Sequence, residues 1–497
     1  MKIAIVVPNP CNPDFRVVKQ AETLTKHGYD VTVFCAVLRP GIFSDDEIID
    51  GVRYIRRVWD QRNTVKSFLS HIFSLEYKTG DALAPSNFYN RSQPSQASQD
   101  SQPGFLRGLR ARFAKSLSLT NCELDIKGVI KSLMLMQNFV NRINKTWKFV
   151  WRHILLRVQR GFFSYFKGYS LYFVFYQELC RFAPDLIYCH DGASVYVGIK
   201  AAEYCGADFV YDSHELETHR WPKLGYIRRK FVQIGEARSL PKAFQVFTVG
   251  HQIADYLTLK YNIKKPIVLY NAPPLKQKQP ASQWASAGAR KLRQDISVSN
   301  ETIVLVYTGN IATGRGCEDV IVALSNIRQQ ELFESVELPH FAMVGRVTDE
   351  VRKKMFDLAV SFSVADRVHF VEPVPAQSVV EYITDANISI IPVQPKALSY
   401  EYAMPNKLFE ATLAGLPILG TDLTEMGQFI RDNGLGRTFI PGNIADLTEK
   451  LVMLLNEKEK YIGAHRNEIS RRFCWENQEE KLLAVFEEIK LKRSKAL

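Results

Sequence analysis

Residues 399–421 read SYEYAMPNKLFEATLAGLPILGT, and this stretch decides the fold. An apolar run, NISIIPV (387–393), precedes it. Pro405 and Asn406 then open a helical pattern with Leu408, Phe409 and Leu413 on one side. Gly415 and Pro417 stop that helix, and LPILGT follows as a second strand. Strand, polar loop, helix, strand is half of a parallel-sheet repeat. In such sheets ligands sit in the loops at the strand carboxyl ends, because the first helical N–H groups are unpaired and partly positive. The loop also carries Asn406 and Lys407. Glu410, three residues beyond Lys407, reaches the same mouth as an acceptor for hydroxyls. Amides and a cation for phosphate, beside a carboxylate for a sugar or ribose, point to a nucleotide-sugar site.

The chain has 497 residues, 46% of them apolar, enough for two or three domains with packed cores. Cysteines at 11, 35, 122, 180, 189, 205, 317 and 474 form no CxxC pair, which predicts buried thiols in a reducing compartment and no metal or redox centre. MKIAIVVPNP reads as a first core strand, too short in its apolar run for a signal peptide. Windows of about 18 uninterrupted apolar residues are missing, so no spanning helix is predicted and the expected location is cytoplasmic.

Outward from the opening stretch the same alternation recurs twice. In the first half, KIAIVV, a helix from about Asp14 to Lys26, DVTVFCAV and GVRYIRRV (51–58) are followed by DLIYCHD, a helix over 193–205, DFVYDSHE, a helix from about 228 and FQVFTVG. After a basic, Pro-containing linker from Pro273 to about Asp295 come ETIVLVYTGN, a helix at 317–330, HFAMVGRV, a helix at 349–362, RVHFVEP and a helix at 376–386. Continuous apolar strands predict parallel sheets covered by helices on both faces. The expected architecture is α/β: two Rossmann-like domains facing across a cleft, residues 1–272 and 273–475. A long amphipathic helix at 476–497 would cross back to the first domain.

Residues 60–175 break the pattern as an insertion in the first domain. RSQPSQASQDSQPG (91–104) reads as flexible. Residues 105–168 hold thirteen Lys or Arg against two acids, so most of the net charge of +12 lies here, interleaved with aromatics such as Trp147, Trp151 and Phe162. That composition fits helices in an anionic bilayer interface. A packed helical insertion with a solvated basic face is the plainer reading, and nucleic-acid binding lacks any recognisable module.

Taken together these motifs resemble the GT-B fold glycosyltransferases of family 4, the group 1 retaining transferases. The similarity covers both domains outside the insertion. It is carried by VYTGNIATGRGCEDVI (306–321), by 367–393 and by PNKLFEATLAGLPIL (405–419), with DFRVVKQAETLTKHGYDVTVF (14–34) and YDSHELE (211–217) in support. The resemblance implies that Glu410 is the second glutamate of a pair separated by seven residues and binds the ribose. The partner position is Tyr402, with Glu401 one residue away. Arg315 matches a phosphate-binding lysine, while Asn310 stands at a usual arginine position, for which Lys407 is the candidate replacement. Gly309, Gly316, Pro405 and Asn406 complete the implied diphosphate site. Val371, Glu372 and Val374 fall where the base is held, and His214 matches the histidine that approaches the transferred sugar. Asp14, Arg16, His190 and Asp191 are candidates for the acceptor side.

The implied chemistry is retaining transfer of a sugar from a nucleoside diphosphate to a glycan acceptor, with no metal and no cofactor. The basic aromatic segment motivates a lipid-linked acceptor, polysaccharide or glycolipid assembly, and peripheral attachment to the inner face of the membrane. Rival readings are a GT-B epimerase or hydrolase of nucleotide sugars, and a catalytically silent scaffold. A dinucleotide oxidoreductase is disfavoured because neither half shows GxGxxG after its first strand. Each site residue also has a plain rival. His190, His214 and Asp191 could pair with loop backbone, Arg315 could be a surface arginine, and Glu410 could pair with Lys407 alone.

Overall fold

The computed structural model describes residues 1–12, 14–38, 41–59, 167–275, 291–329, 337–462 and 464–495. The chain divides into two units, 1–58 with 175–497, and 59–174. The flexible 91–104 and, but for its last two residues, the basic 105–168 expected from sequence lie outside the described residues, as does most of the linker at 276–290. Two β-sheets and the helices that cover them make up the first unit.

Strand β1 (Lys2–Val7) is KIAIVV, buried from its second residue on. Runs of β-branched residues buried on both faces are what a central parallel strand requires. It is followed by helix α1 (Phe15–Lys26), β2 (Asp30–Val37), β3 (Asp46–Ile49), β4 (Val52–Val58), β5 (Leu186–His190), helix α2 (Asp191–Cys205), β6 (Asp208–Ser213), β7 (Gln245–Thr248), helix α3 (His251–Tyr261) and β8 (Ile267–Val268). These strands form one sheet in the order β3-β4-β2-β1-β5-β6-β7-β8. All its pairings are parallel except β3 with β4. The edge strand β3 was not expected from sequence. Its residues DEII are mostly exposed, so it lacks the apolar run that marks the other strands.

The second sheet holds β9 (Val304–Thr308), β10 (His340–Val344), β11 (Val368–Val371), β12 (Ile388–Ile391), β13 (Ile418–Thr421) and β14 (Gly436–Phe439), in the order β11-β10-β9-β12-β13-β14, wholly parallel. Helix α4 (Cys317–Gln329) follows β9, α5 (Asn406–Leu413) follows β12 and α6 (Thr424–Asp432) follows β13.

Two local expectations are corrected. The helix at 376–386 is a single turn, Ala376–Ser378, followed by a short helix, Val379–Ile383. Just past its end Asp385 is bound twice by Arg293, whose backbone N–H donates to Oδ2 at 2.9 Å and whose Nε donates to the carbonyl at 2.8 Å. The polar loop before Pro405 contains a helical turn, Leu398–Glu401.

The last helix, α7 (Trp475–Ser494), leaves the second sheet and packs on the first. Trp475, Leu482, Val485, Phe486 and Ile489 are buried in one cluster with Ile3, Ile5, Tyr29 and Tyr188. Trp475 Nε1 donates to Thr23 Oγ1 at 3.0 Å, and the Phe486 ring meets Tyr29 edge-on at 6.2 Å between centroids.

Candidate active site

The carboxyl ends of both sheets open on one cleft of about 410 Å³. Its first-sheet wall carries Asp14, Arg16, Asp191, His214 and Glu215, and its second-sheet wall Ser399, Tyr400, Pro405 and Asn406. Each sits in the loop after a strand or at the start of the helix that follows it, where a parallel sheet exposes functional side chains.

Asp14 caps α1, accepting from the Val17 N–H at 3.4 Å and from Asn9 Nδ2 at 2.8 Å. Arg16 is 5% exposed and bound to fully buried Asp212, with Nη2 at 2.6 Å from Oδ1 and Nε at 3.2 Å from Oδ2. Gln20 Nε2 at 3.0 Å and the Tyr188 hydroxyl at 3.2 Å complete the shell of Asp212. Burial opposes ionisation of Asp212, but Arg16 and the two histidines hold its pKa below the usual carboxylate value.

Above Asp212 lies a pair of imidazoles. His190 Nδ1 is 3.0 Å from His214 Nε2, and His214 Nδ1 is 3.1 Å from Asp191 Oδ1. Burial brings the His190 pKa down to about 4. Burial also opposes the charge on His214, yet Asp191 and Asp212 together raise its pKa above the ordinary imidazole value. The Asp191 carboxyl, penalised by burial but paired with His214, is brought down to about 2. Asp191 has φ +59°, a left-handed conformation that costs a non-glycine residue roughly 1–2 kcal/mol. His190, Asp212 and His214 come within 4.8 Å of one another, as metal ligands would. Both Asp212 oxygens, however, are already occupied by Arg16, Gln20 and Tyr188, so the group is a hydrogen-bond network.

A second cluster gathers where β9 meets the start of α5. Thr308 Oγ1 donates to Glu410 Oε2 at 2.9 Å. Burial pushes the Glu410 carboxyl above its usual range, while Thr308, Lys407 and Lys19 favour its charged form. Lys407 Nζ lies 3.5 Å from the centroid of the Tyr307 ring, and burial brings its pKa down to about 7. A side chain at Gly309 would meet that ammonium group at 3.7 Å, so the loop backbone runs beside Lys407. Gly316 has φ +90°, and a Cβ there would lie 2.0 Å from the Pro392 carbonyl. The loop 309–316 therefore packs on the end of β12 only as glycine allows. Asn310 and Arg315 stand exposed on this loop. Asn406 Oδ1 accepts from Asn271 Nδ2 at 3.0 Å, and Lys19 Nζ donates to Asn271 Oδ1 at 2.9 Å, linking α1 to the mouth of α5.

The remaining candidates lie apart from these clusters. Val371 is buried at the end of β11, Val374 is half-buried, and Glu372 is exposed and paired with Arg352 at 3.2 Å. Glu401 accepts from the N–H and the hydroxyl of Thr424, at 3.0 and 2.6 Å, capping α6. Sequence reasoning missed Asp212, Thr308 and Tyr307. The signal for Asp212 was an acid inside an apolar strand, two residues before His214.

Residues 302–457, which contain the second cluster, match the family model described as glycosyl transferases group 1. This part of the chain is similar to the group 1 glycosyltransferases. The first sheet, too, falls within the aligned length of solved structures. Sucrose-phosphate synthase of Thermosynechococcus elongatus superposes with a TM-score of 0.60 at 14% identity, covering 99% of this chain and all of that one. The Anabaena protein HepE, solved with UDP and glucose, gives 0.55 at 11% identity over 98% of this chain and 100% of its own. An uncharacterized glycosyltransferase of Methanocaldococcus jannaschii is 20% identical over 307 residues, 61% of this chain and 75% of that protein. The fold of this glycosyltransferase is accordingly GT-B.

Proposed function

We propose that the chain is a retaining glycosyltransferase that moves a sugar from a nucleoside diphosphate to a glycan acceptor. The observation that carries the reading is the cluster of Thr308, Glu410 and Lys407 at the mouth of α5. Glu410, oriented by Thr308, accepts the ribose hydroxyls. The first N–H groups of α5, with Lys407 and Arg315, take the diphosphate. Positive charge held there stabilises the leaving group as the bond from the sugar's anomeric carbon to the phosphate oxygen breaks. The acceptor oxygen bonds to the same face of that carbon, and its proton passes to the departing phosphate. Asp14, Arg16, His190, Asp191 and His214 form the wall facing the sugar and acceptor, and Val371, Glu372 and Val374 the base end.

The neighbour solved with UDP and glucose supports a nucleotide-sugar donor. The excess of basic residues and interleaved aromatics at 105–168 supports a lipid-linked acceptor met at an anionic membrane surface, in polysaccharide or glycolipid assembly. Among the described residues no helix is long and apolar enough to cross a membrane, which is compatible with peripheral attachment through that segment. One observation favours a second reading, a silent nucleotide-sugar-binding scaffold. Glu401, nearest to the place of the first family glutamate, is spent on the start of α6.

A thermal-shift panel of UDP, GDP, ADP and their sugars tests the donor site. One nucleotide at about a hundred times its dissociation constant should stabilise the wild type by about 2.7 kcal/mol, and Glu410→Ala should lose that shift. No shift with any nucleotide would overturn the reading.

A further inference from the structure

The least expected feature of the cleft is that His214 has both ring nitrogens engaged. Nδ1 faces Asp191 at 3.1 Å and Nε2 faces His190 at 3.0 Å. Asp212 Oδ2 is farther from both rings, 3.7 Å from His190 Nδ1 and 3.8 Å from His214 Nε2, beyond hydrogen-bond range. Arg16, Gln20 and Tyr188 hold that carboxylate where it is. The proton between the two imidazoles is therefore shared by them alone. His190 is fully buried, and its Nε2 has no partner among the described residues. A neutral ring enclosed in this way has one lone pair, and at Nδ1 that lone pair would meet the Nε2–H of His214.

We infer that His190 is a positioning residue which, by accepting the Nε2–H of His214, locks that ring as a doubly donating imidazolium paired with Asp191. His214 then serves the cleft as a fixed cation–carboxylate pair and exchanges no proton with substrate. The inference rests on the proposal that His214 lies beside the transferred sugar, and it adds the residue that sets its protonation. The charges around His214 are consistent with the lock. Asp191 from the start of α2 and Asp212 from β6 favour its cation, and Arg16 from α1 opposes it. Glu215, next in the chain, is itself held above the usual carboxylate range by burial. The second-sheet wall adds Ser399, Tyr400 and Asn406 and no charged side chain. The unpartnered Nε2 of His190 is the cost of the arrangement, since a buried polar group left unpaired loses its hydration. A site without a functional demand for that ring would be better filled by leucine.

The test compares His190→Leu, which removes the acceptor, with His190→Asn, whose amide oxygen can stand where Nδ1 does. Imidazole nitrogen NMR of histidine-labelled full-length protein, assigned with His214→Gln, follows both rings. Nucleoside diphosphate release from UDP-, GDP- and ADP-sugars is followed over pH 5–9 as an independent readout. In the wild type His214 should stay doubly protonated above the ordinary imidazole value while His190 stays neutral with its proton on Nε2. In His190→Leu the His214 titration should move down by about one unit, the worth of one hydrogen bond to a charged group. The alkaline limb of kcat/KM should move with it, leaving about a fivefold loss at the pH where the wild type is half-active. His190→Asn should restore both. An unmoved His214 titration in His190→Leu, or a proton on His190 Nδ1, overturns the lock and leaves the proposed transfer untouched. A moved titration with an unmoved rate profile removes His214 from the reaction, which overturns its placing at the sugar.

Discussion

Thr308, the last residue of β9, donates its hydroxyl to Glu410 on α5 across 102 residues of sequence, at 2.9 Å. The bond turns a buried carboxylate that would otherwise choose among rotamers into one fixed beside the helix mouth. Glu410→Ala is expected to weaken nucleotide binding by tenfold or more, since charge-assisted hydrogen bonds contribute about 1.5–3 kcal/mol. Thr308→Val keeps the shape and removes only the orienting bond, for which about a fivefold loss is expected, with about 1 kcal/mol at stake. Titration calorimetry of both variants checks the order.

On the proposed reading Lys407 gives donor binding its pH dependence. Burial brings its pKa down to about 7, so it is charged below that value and neutral above it. Affinity for a nucleoside diphosphate should therefore fall as pH rises from 6 to 8.5. Lys407→Arg, charged throughout, should flatten the fall. Lys19, whose pKa burial also brings down to about 7, is the control, and Lys19→Arg should leave the slope in place. Calorimetry at four pH values reads the difference.

Glu425, at the start of α6, joins the second sheet's helices to the first sheet's α3. Its carboxylate accepts from the His251 N–H and, at 3.0 Å, from the Gln252 N–H, two of the otherwise unpaired donors at that helix start. Glu425→Ala strands both, at a cost of about 1–3 kcal/mol. Its melting temperature should drop by several degrees with nucleotide affinity unchanged. Gly250→Ala should do the same from the other side, since its new Cβ would lie 2.5 Å from Glu425 Oε2.

Phe486→Ala in α7 should cost about 3–5 kcal/mol by chemical denaturation, as for other large buried aromatics. The ring is fully buried between Tyr29 and Tyr188, so a cost this large from the last helix would show that the first sheet's core is completed by the end of the chain.

The buried parallel strands were legible because a strand covered on both faces must be apolar throughout, as KIAIVV and NISIIPV are. The mouth of α5 was legible too: Pro405 and Asn406 stand at its start and Glu410 one turn on. Edge strand β3 was not, since half of it is Asp46 and Glu47. Partnerships across long separations were equally hidden. Arg16 lines the cleft, and its guanidinium proved bound to Asp212, 196 residues away. Glu401, one residue from the place of the first family glutamate, proved to be held by Thr424. Sequence spacing shows which residues share a face, and only the closed fold shows which of them are already committed to one another.

The most direct test of the central claim is nucleoside diphosphate release from a panel of UDP-, GDP- and ADP-sugars, with and without a lipid extract as acceptor, by wild type and Glu410→Ala. The account predicts release from one nucleotide class, raised by the extract and reduced at least tenfold in the variant, with the anomeric configuration of the donor kept in the product. Nucleotide binding without release under any condition, or release unaffected by Glu410→Ala, would contradict it.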